Sequence, residues 1–217
     1  MSPDLVPCIL CLEPLVYLAP VNYLAHAYLS FDHAEILVGN LISDFVKGNK
    51  KFDYSEGIQK GIVLHRAIDT FTDDHEATKL AKEVFRPAYR LYSGAFMDVV
   101  YDHFLANDDN EFNTESLRNF SEKVYHILDG HFQYLPERFA RMFPYMKQQN
   151  WLFNYCSIGG TELSFGGLVR RAHYLTESET AEQLFEEHYE TLHGYYKAFF
   201  PDLKSFAKRV YEDLIRL

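Results

Sequence analysis

From Asn22 onward, apolar residues recur at intervals of three and four, and the strict alternation that marks strands is scarce. This pattern predicts helices over Asn22–Phe31 and Ala34–Val46, with Asp32 as a candidate N-cap between them and Gly48-Asn49 as a stop signal. A third helix is expected over Ser55–Phe71, capped by Ser55, with Ile58, Ile62, Leu64 and Ile68 as its apolar stripe. Glu76–Phe85 follows, ended by Pro87, then Ala88–Leu105, Leu117–Leu128 and Pro136–Met146. A short turn of helix over Asn150–Tyr155 precedes a break at Gly159-Gly160. Glu162–Arg171, a long Glu179–Phe199 and Asp202–Ile215 behind Pro201 complete the chain. No internal repeat, low-complexity run or linker interrupts it. The fold class read from the pattern is all-α, with one domain over residues 22–217.

The first residues differ. MSPDLVPCILCLEPLVYLAP is apolar but broken by Pro3, Pro7, Pro14 and Pro20, and it contains Asp4 and Glu13. It lacks a basic n-region, and no run approaches the ~18–20 apolar residues of a membrane span. Residues 1–21 are therefore expected to be a poorly ordered extension, with the native start at Val21, where a GTG codon can initiate translation.

Composition narrows the function classes. The 217 residues include 21 basic and 31 acidic side chains, a net charge of −10, and 47% are hydrophobic. A chain of this length buries a sizeable core without disulfides or structural metal. The acidic balance argues against non-specific nucleic-acid binding and against adhesion to anionic membranes. Cys8, Cys11 and Cys156 form no disulfide framework, and the CxxC of Cys8 and Cys11 has no second pair to complete a zinc site. This cysteine usage points to a reducing, cytoplasmic compartment.

The chemistry lies in polar residues set within apolar helices. Four segments carry them: Asn22 to His26; Gly39, Asn40 and Asp44; His65, Arg66, Asp69, Thr72 and Asp73; and Asp98, Asp102 and His103. Asn40/Asp44, His65/Asp69, Asp69/Asp73 and Asp98/Asp102 are spaced i,i+4, which places both members on one helix face. Paired carboxylates among Ile68, Phe71, Val99, Val100, Phe104 and Leu105 repel each other and are costly to bury. A divalent cation offsets both penalties, and aspartate with imidazole suits Mn²⁺, Mg²⁺ or Fe²⁺. Taken singly, each residue also has an ordinary reading as a core histidine, a helix cap or a solvated acid. Asp73, followed by Asp74 and His75, would serve as a cap for the Glu76 helix. The convergence of four segments is what favours a shared metal site.

The runs NYLAHAYLS, GNLISDFVKG, GIVLHRAIDTFTDDH and DVVYDHFLA, with a weaker PYMKQQNWLFNY and a later Arg170-Arg171, resemble the acyl-carrier-protein phosphodiesterases over nearly all of residues 22–200. Members of that family begin at the position matching Val21. The resemblance implies an HD-domain-like, all-helical enzyme of a divergent branch of the HD phosphohydrolase superfamily, usually Mn²⁺-dependent. It implies hydrolysis of the phosphodiester joining 4′-phosphopantetheine to a serine of acyl carrier protein, in the cytoplasm. The matching positions make Asp44, His65, Asp69 and Asp102 the leading metal candidates, with His26, Asp73 and Asp98 next. The chain lacks the His-Asp dipeptide that names the superfamily and has the reverse, Asp102-His103. A nucleotide or small phosphoester is the alternative substrate, and a carrier-binding module without catalysis is the alternative class.

On this reading Arg66 holds a phosphate or steadies a neighbouring Asp. His103 protonates the leaving oxygen or binds metal, and Asn40 binds substrate or anchors Asp44. Acyl carrier proteins are acidic, so an acidic enzyme must segregate its charge. Lys47, Lys50, Lys51, Lys60, Arg66, Arg86 and Arg90 are expected to form a basic face at the pocket mouth. The sixteen Tyr and eighteen Phe are read mainly as core. Trp151 and Tyr155, at i,i+4, are the alternative lining for a pantetheine arm.

Overall fold

The computed structural model describes residues 22–172 and 174–216, so the expectations for residues 1–21 lie outside the described residues. The described chain is helical, with no strand. The first helices are α1 (Tyr23–Tyr28), α2 (Ala34–Ile42), α3 (Glu56–Asp74), α4 (Glu76–Tyr89) and α5 (Ser93–Ala106). They are followed by α6 (Thr114–Gly130), α7 (Glu137–Gln148), α8 (Trp151–Asn154), α9 (Ile158–Arg171), α10 (Glu179–Glu187) and α11 (Tyr189–Arg216). None is long and apolar enough to cross a membrane.

Local chemistry moves several boundaries. The α2 cap is His33, whose Nδ1 accepts from the Ile36 amide, while Asp32 adopts a left-handed backbone. Ser55 occupies the α3 cap position, but its hydroxyl donates to Glu35 across the α2–α3 junction. α4 continues past Pro87 to Tyr89. Gly159-Gly160 does not end a helix. It lies in the first turn of α9, where Ser157 Oγ accepts from the Gly160 amide. Pro201 does not end one either, because the buried stripe Leu192, Tyr196, Phe199, Phe200, Leu203 and Ala207 runs straight through it. The missing proline N–H removes one helical bond, and continuous packing of that stripe outweighs the loss. The break falls at His188 instead.

The closest helix pair is α2 on α3, and glycines permit it. A Cβ on Gly39 would lie 2.0 Å from the Ile58 carbonyl oxygen, and one on Gly61 would lie 2.2 Å from that of Ile36. No side chain fits at either position. α5 is buried along most of its length through Phe96, Val99, Val100, Phe104 and Leu105. Phe85, Phe96, Phe165 and Phe185 pack ring against ring between α4, α5, α9 and α10. Tyr155 is core, at 1% exposure, and Trp151 packs half-buried against the same core.

Candidate metal centre

Four side chains from three elements converge. His26 comes from α1, His65 and Asp69 from α3, and Asp44 from the 3-10 turn Ser43–Phe45 that continues α2. The glycine contact between α2 and α3 brings these elements together. His26 Nε2 lies 3.2 Å from Asp69 Oδ1. His65 Nε2 lies 3.2 Å from Asp44 Oδ1 and 3.1 Å from Asp69 Oδ2. The two imidazoles stack with centroids 4.0 Å apart. One ligand atom each from His26, His65 and Asp69 falls within 4.8 Å of the others.

Asn40, fully buried on α2, decides the state of His26. Its Nδ2 donates to the His26 carbonyl oxygen at 2.8 Å and to Ser30 Oγ at 3.0 Å. Its Oδ1 therefore faces His26 Nδ1, 2.7 Å away, as an acceptor. His26 Nδ1 must carry the proton, and Nε2 presents a bare lone pair. That lone pair is buried, makes no hydrogen bond, and faces a carboxylate oxygen. Two electron-rich groups held together in a low-dielectric site repel unless a proton or a cation lies between them. The ring is held as metal-ligating imidazoles are held, with its other nitrogen anchored by a hydrogen bond.

The electrostatics agree. Burial, reinforced by the positive charge of His65, lowers the His26 pKa, which keeps the ring neutral. Burial also opposes charge on His65, but the hydrogen bonds it donates to Asp44 and Asp69 outweigh it and push its pKa up to about 10. Burial raises Asp69, yet the carboxyl is held below the usual carboxylate range, with the hydrogen bond and charge of His65 among the causes. The site is thus an excess of negative charge that a proton on His65 only partly offsets. Two imidazole nitrogens and two carboxylates suit a divalent ion of the Mn²⁺ or Fe²⁺ kind.

The other expected residues are placed elsewhere. Asp102 is engaged in structure, because its oxygens accept the Leu24 and Ala25 amides at 2.9 and 2.8 Å and so cap α1 from α5. His103 is 2% exposed and lies outside the cluster. Its Nδ1 lies 2.8 Å from the Tyr155 carbonyl and 3.0 Å from Thr161, and its Nε2 lies 3.0 Å from the Tyr189 hydroxyl. Asp73 is exposed and paired with Lys82 at 2.6 Å. Arg66 is exposed, and its Nη2 donates to the Val46 carbonyl. Asn40 anchors His26 rather than Asp44. Asp98 lines a cleft of about 780 Å³ between α4 and α5, together with Asp73, Lys82, Arg86 and Arg90. Burial and then the charge of Asp69 push its carboxyl well above the ordinary range. Ser30 escaped sequence reading, although its place four residues after His26 was the available signal.

A model of the acyl carrier protein phosphodiesterase family matches residues 21–203. The acyl carrier protein phosphodiesterase of Photorhabdus laumondii is 32% identical over 182 residues, covering 83% of this chain and 92% of that one. That of Yersinia enterocolitica is 31% identical over 189 residues, covering 87% and 98%. That of Klebsiella pneumoniae strain 342 is 31% identical over 193 residues, with the same coverage. No solved structure matches the chain significantly.

Proposed function

The chain belongs to the acyl carrier protein phosphodiesterase family, and we propose that it works with a divalent cation, Mn²⁺ foremost, held by His26, Asp44, His65 and Asp69. The reaction is hydrolysis of the phosphodiester between 4′-phosphopantetheine and a serine of acyl carrier protein. Its products are the apo-carrier and 4′-phosphopantetheine. The observation that carries the cation is the bare, buried lone pair of His26 Nε2 facing Asp69. Convergence of His and Asp from separate elements also supports placing the family as a divergent branch of the HD superfamily, and an acyl carrier protein substrate favours a cytoplasmic reaction.

A cation bound there supplies an acidified water and charge neutralisation at a phosphoryl oxygen. The protein does the rest. Asn40 fixes the His26 tautomer, and Ser30 fixes Asn40 by accepting from its amide while donating to the His26 carbonyl. Asp69 is shared between both imidazoles, so it sets their separation. The burial of His26 and His65 keeps bulk water from competing at the ligand atoms.

The test is intact-mass spectrometry of holo-acyl carrier protein incubated with the protein and Mn²⁺, beside the double variant Asp44→Ala/His65→Ala. Conversion to the apo mass by the native chain alone is expected. Full conversion by the variant, or none by a metal-loaded native chain, overturns the reading.

A further inference from the structure

The segment between Asp44 and α3 exposes an aromatic side chain beside cations. Asp44 lies just before it, and α3, with His65 and Asp69, follows it. Gly48, at φ 55°, opens a 3-10 turn over Gly48–Asp53. The turn leaves Phe52 62% exposed, with Lys51 Nζ 5.0 Å from its ring centroid. Residues 47–53 carry Lys47, Lys50 and Lys51 against Asp53 alone, a local excess of cations in a chain of net charge −10. Lys60 is matched by Glu56 at 2.6 Å, but Lys50 and Lys51 form no ion pair among the described residues. Arg66 adds a fourth cation, tied to the same segment through the Val46 carbonyl.

An exposed aromatic beside a cation is costly to leave in water and has the composition of an interface hot spot. Unmatched lysines of one sign steer and orient a partner of the opposite sign. We propose that the Lys47–Asp53 turn docks the acidic substrate protein, with Phe52 as apolar anchor and Lys50, Lys51 and Arg66 as the cations beside it. This rests on the functional reading above, and it assigns the carrier a docking surface separate from the residues that act on its phosphodiester. Docking here sets the carrier beside Asp44, so the serine-linked phosphate reaches the cluster by a short path along the turn.

Binding of fluorescently labelled apo-acyl carrier protein, followed by anisotropy over a range of salt, tests it without catalysis. Phe52→Ser and the pair Lys50→Glu/Lys51→Glu are each expected to weaken binding at least about tenfold, and the lysine pair is expected to flatten the salt dependence. Phe52→Ser should raise KM for holo-carrier while leaving hydrolysis of bis(4-nitrophenyl) phosphate unchanged. Native affinity in both variants, no binding by the native chain, or parallel loss on the small ester overturns the docking surface. So does preference of the turn for a single-stranded oligonucleotide over the carrier. Carrier binding that depends on the turn but yields no apo product leaves the docking surface standing and sinks the hydrolytic reading instead.

Discussion

Asn40→Ala separates a metal centre from a merely buried histidine pair. The amide makes three hydrogen bonds in a fully buried site: to His26 Nδ1, to the His26 carbonyl and to Ser30. At about 1 kcal/mol each, their loss costs about 3 kcal/mol, which is roughly 6–12 °C in Tm for a chain of this size. The His26 ring also loses the partner that fixes its tautomer, and loss of such a partner lowers metal affinity about 10–100-fold. Thermal unfolding followed by circular dichroism in chelator measures the first effect, and calorimetric titration with Mn²⁺ measures the second. Asn40→Asp keeps an acceptor for His26 Nδ1 but loses both donors, so it should recover metal affinity better than it recovers stability. A Tm within about 1 °C of the native value, together with unchanged Mn²⁺ affinity, would refute the argument that Asn40 presets a ligating nitrogen.

Three further outcomes follow from the same geometry. Gly61→Ala drives a methyl to 2.2 Å from the Ile36 carbonyl, which is backbone and cannot yield, so urea unfolding should show a loss of about 2 kcal/mol or more along with lost metal binding. Asp102→Asn keeps only one acceptor for the Leu24 and Ala25 amides and should cost about 1–2 kcal/mol. Its metal content, by atomic absorption, should be unchanged, whereas a ligand role for Asp102 would lower it. Burial holds the His103 pKa down at about 4 against 6.5 for the free side chain, so the unfolded chain binds the extra proton first as pH falls. Stability should be intact above pH 6.5 and fall by about 3 kcal/mol as pH drops through that window. His103→Gln should remove that part of the pH dependence in denaturant titrations.

The amino-acid sequence by itself determined the all-α class, most helices, and a pool of polar residues from which the cluster is drawn. One-face burial imprints a period of three to four on any helix of a soluble domain, and i,i+4 polar pairs stand out against it. His65 and Asp69 were legible for that reason, being one turn apart on a single helix. What only the tertiary structure decided is which polar residues share a site. Asp102 carries the same local signature as Asp69, yet it caps a helix 77 residues away in sequence. No nearby residue records that partnership. His103 likewise reads as a ligand or proton donor from its own segment, but Tyr155, Thr161 and Tyr189, contributed from three later positions, enclose it. The run through Pro201 has the same origin, since a local breaker is overridden by packing along the whole of α11. Helix periodicity is a property of neighbours in the chain. Ligation, capping and proline tolerance depend on which neighbours arrive through space, here through the glycine contact that lets α2 and α3 meet.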